Sequence, residues 1–536
     1  MVVEISASEI STSQIGDKQK LIRGSIFMTL SPVTALFLGL IISVLISVYI
    51  PPAEYAVYSW YNLMNSFLIT TIPFALPQAI TRFLAIAKGA NNEEEIQQLQ
   101  KDNTFFTLAL VPLSGIIAIV ITPLVLSSIG FFGQYGPLDI AIFALGIMCV
   151  NLSLFTIGAG KGLQAFENIG LAQFAANLVG QLLVILLIIT GWSITALLIK
   201  WVVVGLLTSI FLTIGIKQLW TVRGGTYSLK PLLFFAYPAI LSFFFAFFFK
   251  EYLIRALFMP FGADVVGLYE FAARLLTFVN ALTIGFYTAL GPYYSRAVGR
   301  GPSEELESEV KWTLKFSNFM FLPIIVGIVV ISPSLFLILF DPRYYFAYQF
   351  FAILMVQMFL YLFYRPFVAI LNSTGRPQSV LVITIISSLA SGLLMLGAIF
   401  ISPLFLIERY TLAIVVLAYS SSVFFASLLS GFWVKKQVKI NTGFKAVLPF
   451  IGIAAIMIPP AIAIHLLRLH PVIEFASIFI ISLVLYVLPI RIVGLISENE
   501  IRKATLFLPS RVAVPFSNFL VKVFVKHSLR MPLQPN

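Results

Sequence analysis

Read for its apolar and polar positions, the chain is a succession of long apolar runs separated by short polar stretches. A helix crosses the hydrocarbon core of a bilayer in about 20 residues, and these runs are that long. They lack the short alternating pattern of a transmembrane barrel. Fourteen spans are predicted, at 24–50, 56–85, 104–127, 138–158, 169–190, 193–216, 232–258, 264–297, 312–340, 346–372, 378–401, 411–433, 446–468 and 472–494. Pro32, Pro77, Pro238, Pro292 and Pro366 fall inside spans, where a membrane helix accommodates proline with a kink. The expected fold class is an all-α polytopic membrane protein.

The pattern repeats. Ser31-Pro32 in the first span recurs as Tyr237-Pro238 in the seventh, and Pro77 and Arg82 recur as Pro292 and Arg296. Leu163-Gln164-Ala165-Phe166-Glu167-Asn168 after the fourth span matches Leu371-Asn372-Ser373-Thr374-Gly375-Arg376 after the tenth. The shared order and near-constant offset predict two six-helix bundles related by a pseudo-twofold along the membrane normal, plus a C-terminal helix pair. The expected division is a cytoplasmic segment 1–23, an N-lobe 24–225, a C-lobe 226–440, a helix pair 441–494 and a cytoplasmic amphipathic tail 495–536. That tail mixes basic residues with Leu, Val and Phe and is interrupted by Pro509 and Pro515, as befits a segment lying on an anionic leaflet.

Composition sharpens the class. Hydrophobic residues make up 60% of the chain and charged residues 10%, against roughly 25% charged in soluble domains. The single cysteine, Cys149, excludes an intrachain disulfide. The net charge of +12 is read as basic cytoplasmic loops, not as a nucleic-acid footprint. With the N-terminus inside, 26 of the 34 Lys and Arg residues fall in inner loops and ends, and only Arg343, Arg409 and Arg468 in outer loops. Both termini are therefore expected in the cytoplasm, in a multi-pass protein of the cell membrane. No cleavable leader is expected, because polar and mixed residues precede an apolar run long enough to span. The acidic clusters Glu93, Glu94, Glu95 and Glu304, Glu305, Glu307, Glu309 read as solvated helical turns.

No enzyme signature emerges, and no cofactor or metal site is expected. There is no phosphate-binding loop or nucleophile elbow. His465 and His470 are five residues apart, at most an incidental pair lacking further ligands. The chemistry lies in the stretch Lys250–Arg296, where Lys250, Glu251, Arg255, Glu270 and Arg274 interrupt apolar runs. An ionisable side chain at the centre of a span costs roughly 2.5–3.5 kcal/mol on insertion scales, so each is a functional candidate. Glu251 and Arg255, and Glu270 and Arg274, are spaced i,i+4 with the acid first, so each pair can meet on one helix face. Lys250 has no such local acid. Arg255 lies near the outer end of its span and could snorkel, as could Lys200. Lys250 lies about eight residues in from that end, roughly 12 Å at 1.5 Å per residue. Arg274 and Arg365 also sit well inside spans. Five cations against two acids would make a shared water-filled cavity attract an anion.

These residues carry a resemblance. Val266-Gly267-Leu268-Tyr269-Glu270-Phe271-Ala272-Ala273-Arg274, Gly291-Pro292-Tyr293-Tyr294-Ser295-Arg296 and Leu371-Asn372-Ser373-Thr374-Gly375-Arg376-Pro377 resemble the multidrug/oligosaccharidyl-lipid/polysaccharide (MOP) flippase superfamily, and within it the polysaccharide-exporter branch. The resemblance covers the chain to about residue 494. It implies two lobes around a central cavity that opens alternately to either side, and transport of a lipid-linked oligosaccharide to the outer leaflet. It places Lys250, Arg255 and Arg274 on cavity-lining helices, with Arg365 as a further candidate contact and Glu251 and Glu270 as supporting ion pairs. The implied partners are the lipid-linked substrate and membrane lipids, with no nucleic acid, and a monomer is expected. Two alternatives stand beside it. A cation-coupled multidrug exporter of the same superfamily would use intramembrane carboxylates, which the first six spans lack. A non-transporting membrane scaffold would leave the cations idle.

Overall fold

The computed structural model describes residues 34, 36–130, 136–216, 219–222, 225, 227–299, 304–401, 408–441, 444–504 and 510–525. The described secondary structure is helical, as the apolar periodicity requires: in lipid every backbone N–H and C=O must be satisfied within the segment. The helices are α1 (Leu36–Tyr49), α2 (Pro52–Thr71), α3 (Leu76–Gly89), α4 (Glu93–Ser128), α5 (Pro137–Gly162), α6 (Phe166–Ile189), α7 (Ser193–Gly215) and α8 (Leu229–Phe261). There follow α9 (Ala263–Gly299), α10 (Glu304–Leu339), α11 (Ala347–Ser373), α12 (Pro377–Ile401), α13 (Glu408–Trp433), α14 (Leu448–Leu466), α15 (Pro471–Val493), α16 (Glu498–Ala504) and α17 (Ser510–Phe524). Among the described residues eleven helices are long and apolar enough to cross a membrane, and twelve when the bent pair α2–α3 is one span. The two other predicted spans correspond to α1 and to the charge-bearing α9. Ser31-Pro32 and the segment 1–23 lie outside the described residues, as do the side chains of Pro292 and Arg296.

The second predicted span holds a correction. It is broken rather than kinked at Pro77: α2 ends at Thr71, α3 starts at Leu76, and their axes differ by 42°. Pro73 and Pro77 both lack the N–H that would continue the ladder. Between them Phe74 and Ala75 take positive φ values of 52° and 51°, a strained region for residues with a Cβ. Pro77 then sits in the first turn of α3, where its missing N–H is harmless.

The chain divides into two compact units, Met1–Phe271 and Ala272–Asn536. In the first, α5 packs against α3, α4 and α7, and α6 against α7. The sidedness of α4 shows how a membrane helix is sorted. Asn103, Thr107, Ser114, Ala118 and Thr122 face inward, while Phe105, Leu108, Ile116 and Ile119 are exposed. Lipid solvates the large apolar side chains as well as protein does, so small and polar residues make the helix contacts. Gly205 of α7 is one such contact: a Cβ there would lie 2.5 Å from the carbonyl carbon of Cys149 on α5.

In the second unit α12 packs on α13, α11 on α13 and α10, and α14 and α15 on α10. Serine hydroxyls stitch these helices, Ser391 donating to the Ala418 carbonyl at 3.0 Å and Ser427 to the Leu360 carbonyl at 3.2 Å. After the last span the described residues form α16 and α17. Pro509 lies just outside the described residues, and Pro515 is inside α17 rather than ending it. Leu520 and Val521 of α17 are buried, Phe524 meets Phe319 at 4.8 Å between ring centroids, and Phe519 is exposed. On α16, Glu500 accepts from Lys315 at 2.6 Å, and its carbonyl accepts from the Trp312 indole at 3.3 Å.

Candidate functional site

Glu251, Arg255 and Glu270 of the charged stretch form a cluster in the first unit. Within α8, residues Phe247–Tyr252 make a π-helical turn that contains Lys250 and Glu251. Such turns insert one extra residue into a helix and recur at functional sites. The i,i+4 pair expected from spacing is made: Arg255 Nη1 lies 3.1 Å from Glu251 Oε2. The same nitrogen donates to the Glu251 carbonyl at 2.7 Å. Spacing did not reveal the stronger partner. Arg255 Nη2 meets Glu270 Oε2 at 2.6 Å, bridging α8 to α9 across fifteen residues of sequence.

Two uncharged residues of α2 complete the cluster. Ser59 accepts from Arg255 Nε at 2.8 Å and donates to Glu270 Oε2 at 2.9 Å, and Asn62 donates to Glu270 Oε1 at 2.9 Å. Arg255 and Glu270 are 5% and 4% exposed. Tyr269 adds its ring, 5.9 Å from the guanidinium carbon. Gly267 makes this meeting of α2 and α9 possible, because a Cβ there would fall 1.8 Å from the Pro52 carbonyl oxygen. A guanidinium held by two carboxylates and a hydroxyl has its charge and most of its donors satisfied. Lys250 and Arg274 are half-buried.

Arg365 has a different environment, in the second unit. Its Nη1 donates to Thr283 Oγ1 at 2.7 Å and its Nη2 to Asn280 Oδ1. Its guanidinium carbon lies 5.1 Å from the Tyr287 ring and 4.8 Å from that of Tyr361. Asn280, Thr283 and Tyr287 are spaced i, i+3, i+7 on α9, and Tyr361 and Arg365 i, i+4 on α11, so each set shares one helix face. No carboxylate among the described residues pairs with Arg365. Asn280, Thr283 and Tyr287 of α9 were the available sequence signal, a weak one because none of the three is charged.

A third polar group involves residues given no role above. Glu474, in the first turn of α15, is buried and accepts from Ser334 at 2.5 Å and contacts His465 Nδ1 at 2.8 Å. His465 thus faces a carboxylate nine residues on. Among the described residues no three His, Cys, Asp or Glu side chains are grouped to hold a metal ion.

Similarity to known proteins fits this architecture. Residues 92–347 match a family described as polysaccharide biosynthesis protein. Among solved structures, the lipid II flippase MurJ in an inward closed conformation aligns with a TM-score of 0.62 at 16% identity, over 86% of this chain and 97% of that one. An inward-facing multidrug resistance MATE transporter of the MOP superfamily aligns with a TM-score of 0.61 at 16% identity, over 77% and 98%. A MOP superfamily transporter from Pyrococcus furiosus, described as having a binding pocket of reverse polarity that suggests a different function, aligns at 0.56 with 17% identity, over 79% and 97%. No curated protein sequence matches. The fold is therefore that of the MurJ and MATE structures, as the motifs suggested, and residues 92–347 match the polysaccharide biosynthesis protein family.

Proposed function

We propose that the protein is an alternating-access flippase that moves a polyprenyl phosphate- or pyrophosphate-linked oligosaccharide from the cytoplasmic to the outer leaflet, for surface polysaccharide or glycan assembly. The observation that carries this reading is the charge balance of the stretch inside the matched segment. Two of its acids, Glu251 and Glu270, bind one guanidinium, Arg255, and a third, Asp264, stands in the first turn of α9, while Lys250 and Arg274 add further positive charge to the apolar helices. A pathway with excess positive charge suits an anionic cargo. A cationic drug would require the opposite sign, and the buried carboxylate of Glu270 is already spent on Arg255.

Lys250 and Arg274 are the proposed contacts for the phosphate head. The planar fork of Arg binds two phosphate oxygens at once, and Lys supplies a point charge. Arg255, with Glu251 and Glu270, is proposed to brace the helices that carry them. Residues 24–225 and 226–440 are taken as the two moving bundles, with both termini cytoplasmic and the protein a monomer in the cell membrane. Few cations are used because binding must stay weak enough for release.

Reconstitution tests the reading. Proteoliposomes holding the full chain should translocate a fluorescent lipid-linked oligosaccharide, and Lys250→Ala and Arg274→Ala should each abolish it while membrane insertion persists. Arg274→Lys should recover part of the rate, and Lys200→Ala should be nearly silent. Efflux of cationic drugs without translocation of the glycolipid would favour the multidrug alternative, which the MATE-like neighbours keep in view. Full activity of well-folded Lys250 and Arg274 variants would favour a scaffold.

A further inference from the structure

The surroundings of Arg365 are built for an anion, and for one of low charge. Two helix faces meet there: Asn280, Thr283 and Tyr287 of α9, and Gln357, Tyr361 and Arg365 of α11, the last three at i, i+4, i+8. The protein takes two of the five guanidinium N–H groups, through Thr283 and Asn280. One N–H on each terminal nitrogen and the Nε–H remain, with no acceptor among the described residues. The rings of Tyr287 and Tyr361 fix the guanidinium without neutralising it. A desolvated cation whose partners are all neutral is costly until an oxyanion joins it.

A second acceptor waits on the same face. Gln357 is 4% exposed. Its amide nitrogen donates to the Tyr361 hydroxyl at 3.2 Å, and its Oε1 is buried with no partner. Eight residues of helix separate Gln357 from Arg365, about 12 Å. The stripe therefore offers cationic N–H donors at one end and an unfilled acceptor at the other, which complements a ligand carrying both an oxyanion and hydroxyl groups.

We propose that this cluster is a subsite for the carboxylate of an acidic sugar, a uronic acid or similar residue, in the oligosaccharide of the cargo. The inference rests on the flippase reading and adds the sugar's chemistry to it. Charge matching separates it from the phosphate contact. The cluster holds one positive charge, equal to one carboxylate, whereas a pyrophosphate carries several negative charges and calls for several cations. The guanidinium edge also matches the two oxygens of a carboxylate in a bidentate pair.

The test uses the full chain in proteoliposomes and two fluorescent polyprenyl pyrophosphate oligosaccharides that differ in one sugar, a neutral hexose or the corresponding uronic acid. The wild type should move the uronate cargo about tenfold faster, the worth of one charge-assisted contact. Arg365→Gln should bring the uronate cargo down to the neutral rate while changing the neutral cargo less than about twofold, and Arg365→Lys should recover part of the difference. Equal loss for both cargoes in Arg365→Gln would show that Arg365 reads the phosphate and would overturn the proposal. So would an Arg365→Gln variant that keeps the wild-type preference, or a wild type with none. If the wild type moved neither glycolipid, the flippase reading would fail, and thermal-shift binding of the uronate glycolipid in detergent would then decide the subsite. A shift in the wild type that Arg365→Gln removes would support it, and no shift would overturn it.

Discussion

Arg255 in the first unit and Arg365 in the second both stand in the interior of apolar helices, and the protein treats them in opposite ways. Arg255 is 5% exposed and clasped by Glu251, Glu270 and Ser59, with a second layer from Asn62. Arg365 is half-buried and held by an amide, a hydroxyl and two rings, with no carboxylate among the described residues. The first arrangement neutralises a charge and ties three helices; the second orients a charge and leaves part of its fork unfilled. An intramembrane arginine is therefore not a binding residue by virtue of depth alone. Its partners decide whether it braces or binds.

The sharpest way to break this contrast is Arg255→Ala. It would leave Glu270 buried against only Ser59 and Asn62, and removing one partner of a buried pair costs about 3–5 kcal/mol. Thermal unfolding in detergent should show the largest loss of any variant considered, partly restored by adding Glu270→Gln, which removes the stranded charge. Unchanged unfolding with lost translocation would make Arg255 a cargo contact after all. Next in size is Gly267→Ala, whose Cβ would meet the Pro52 carbonyl oxygen at 1.8 Å. Forcing α9 away from α2 should cost about 1–3 kcal/mol, and a wild-type melting profile would show that this approach does not hold the cluster together.

Arg365→Gln should be milder. It loses two hydrogen bonds and two ring contacts but also relieves a desolvated charge, so a net change under about 1 kcal/mol is expected in the same assay. A loss as large as that of Arg255→Ala would erase the distinction between bracing and binding. The smallest effect concerns Glu500, outside the spans. Partial burial raises its carboxyl, but hydrogen bonds from Lys315 and Ser497 outweigh this and hold it below the usual carboxylate range. A lowered folded value means that the docking of α16 contributes in full above the unfolded value, about 4.3, and is lost as pH falls through the folded one. Hydrogen exchange of residues 498–504, taken relative to the intrinsic rate at each pH, should thus be flat between neutral pH and about pH 5 and rise only in stronger acid. Glu500→Gln should raise it already at neutral pH, and wild-type loosening between pH 7 and 5 would contradict the assignment.

The helices themselves were legible because lipid leaves little choice. An apolar run of about 20 residues must satisfy its own backbone, so run length alone dictates a spanning helix. The spacing of Glu251 and Arg255 likewise dictated their pairing, since i,i+4 residues are neighbours on any α-helix, and the π-helical turn beginning just before them did not disturb it. Tertiary structure alone decided that Glu270 also closes on Arg255, that Ser59 and Asn62 complete that closure, and that His465 meets Glu474. These contacts join separate helices, and their geometry depends on features such as Gly267 against Pro52, which no periodicity encodes. The break at Phe74 and Ala75 lay between: Pro77 announced a kink, but whether a membrane helix bends or breaks depends on the neighbours that receive its freed carbonyls. At Arg365 the sequence determined that a charge lies within the membrane. The fold determined that its partners are neutral, because only the meeting of α9 and α11 says which side chains face it.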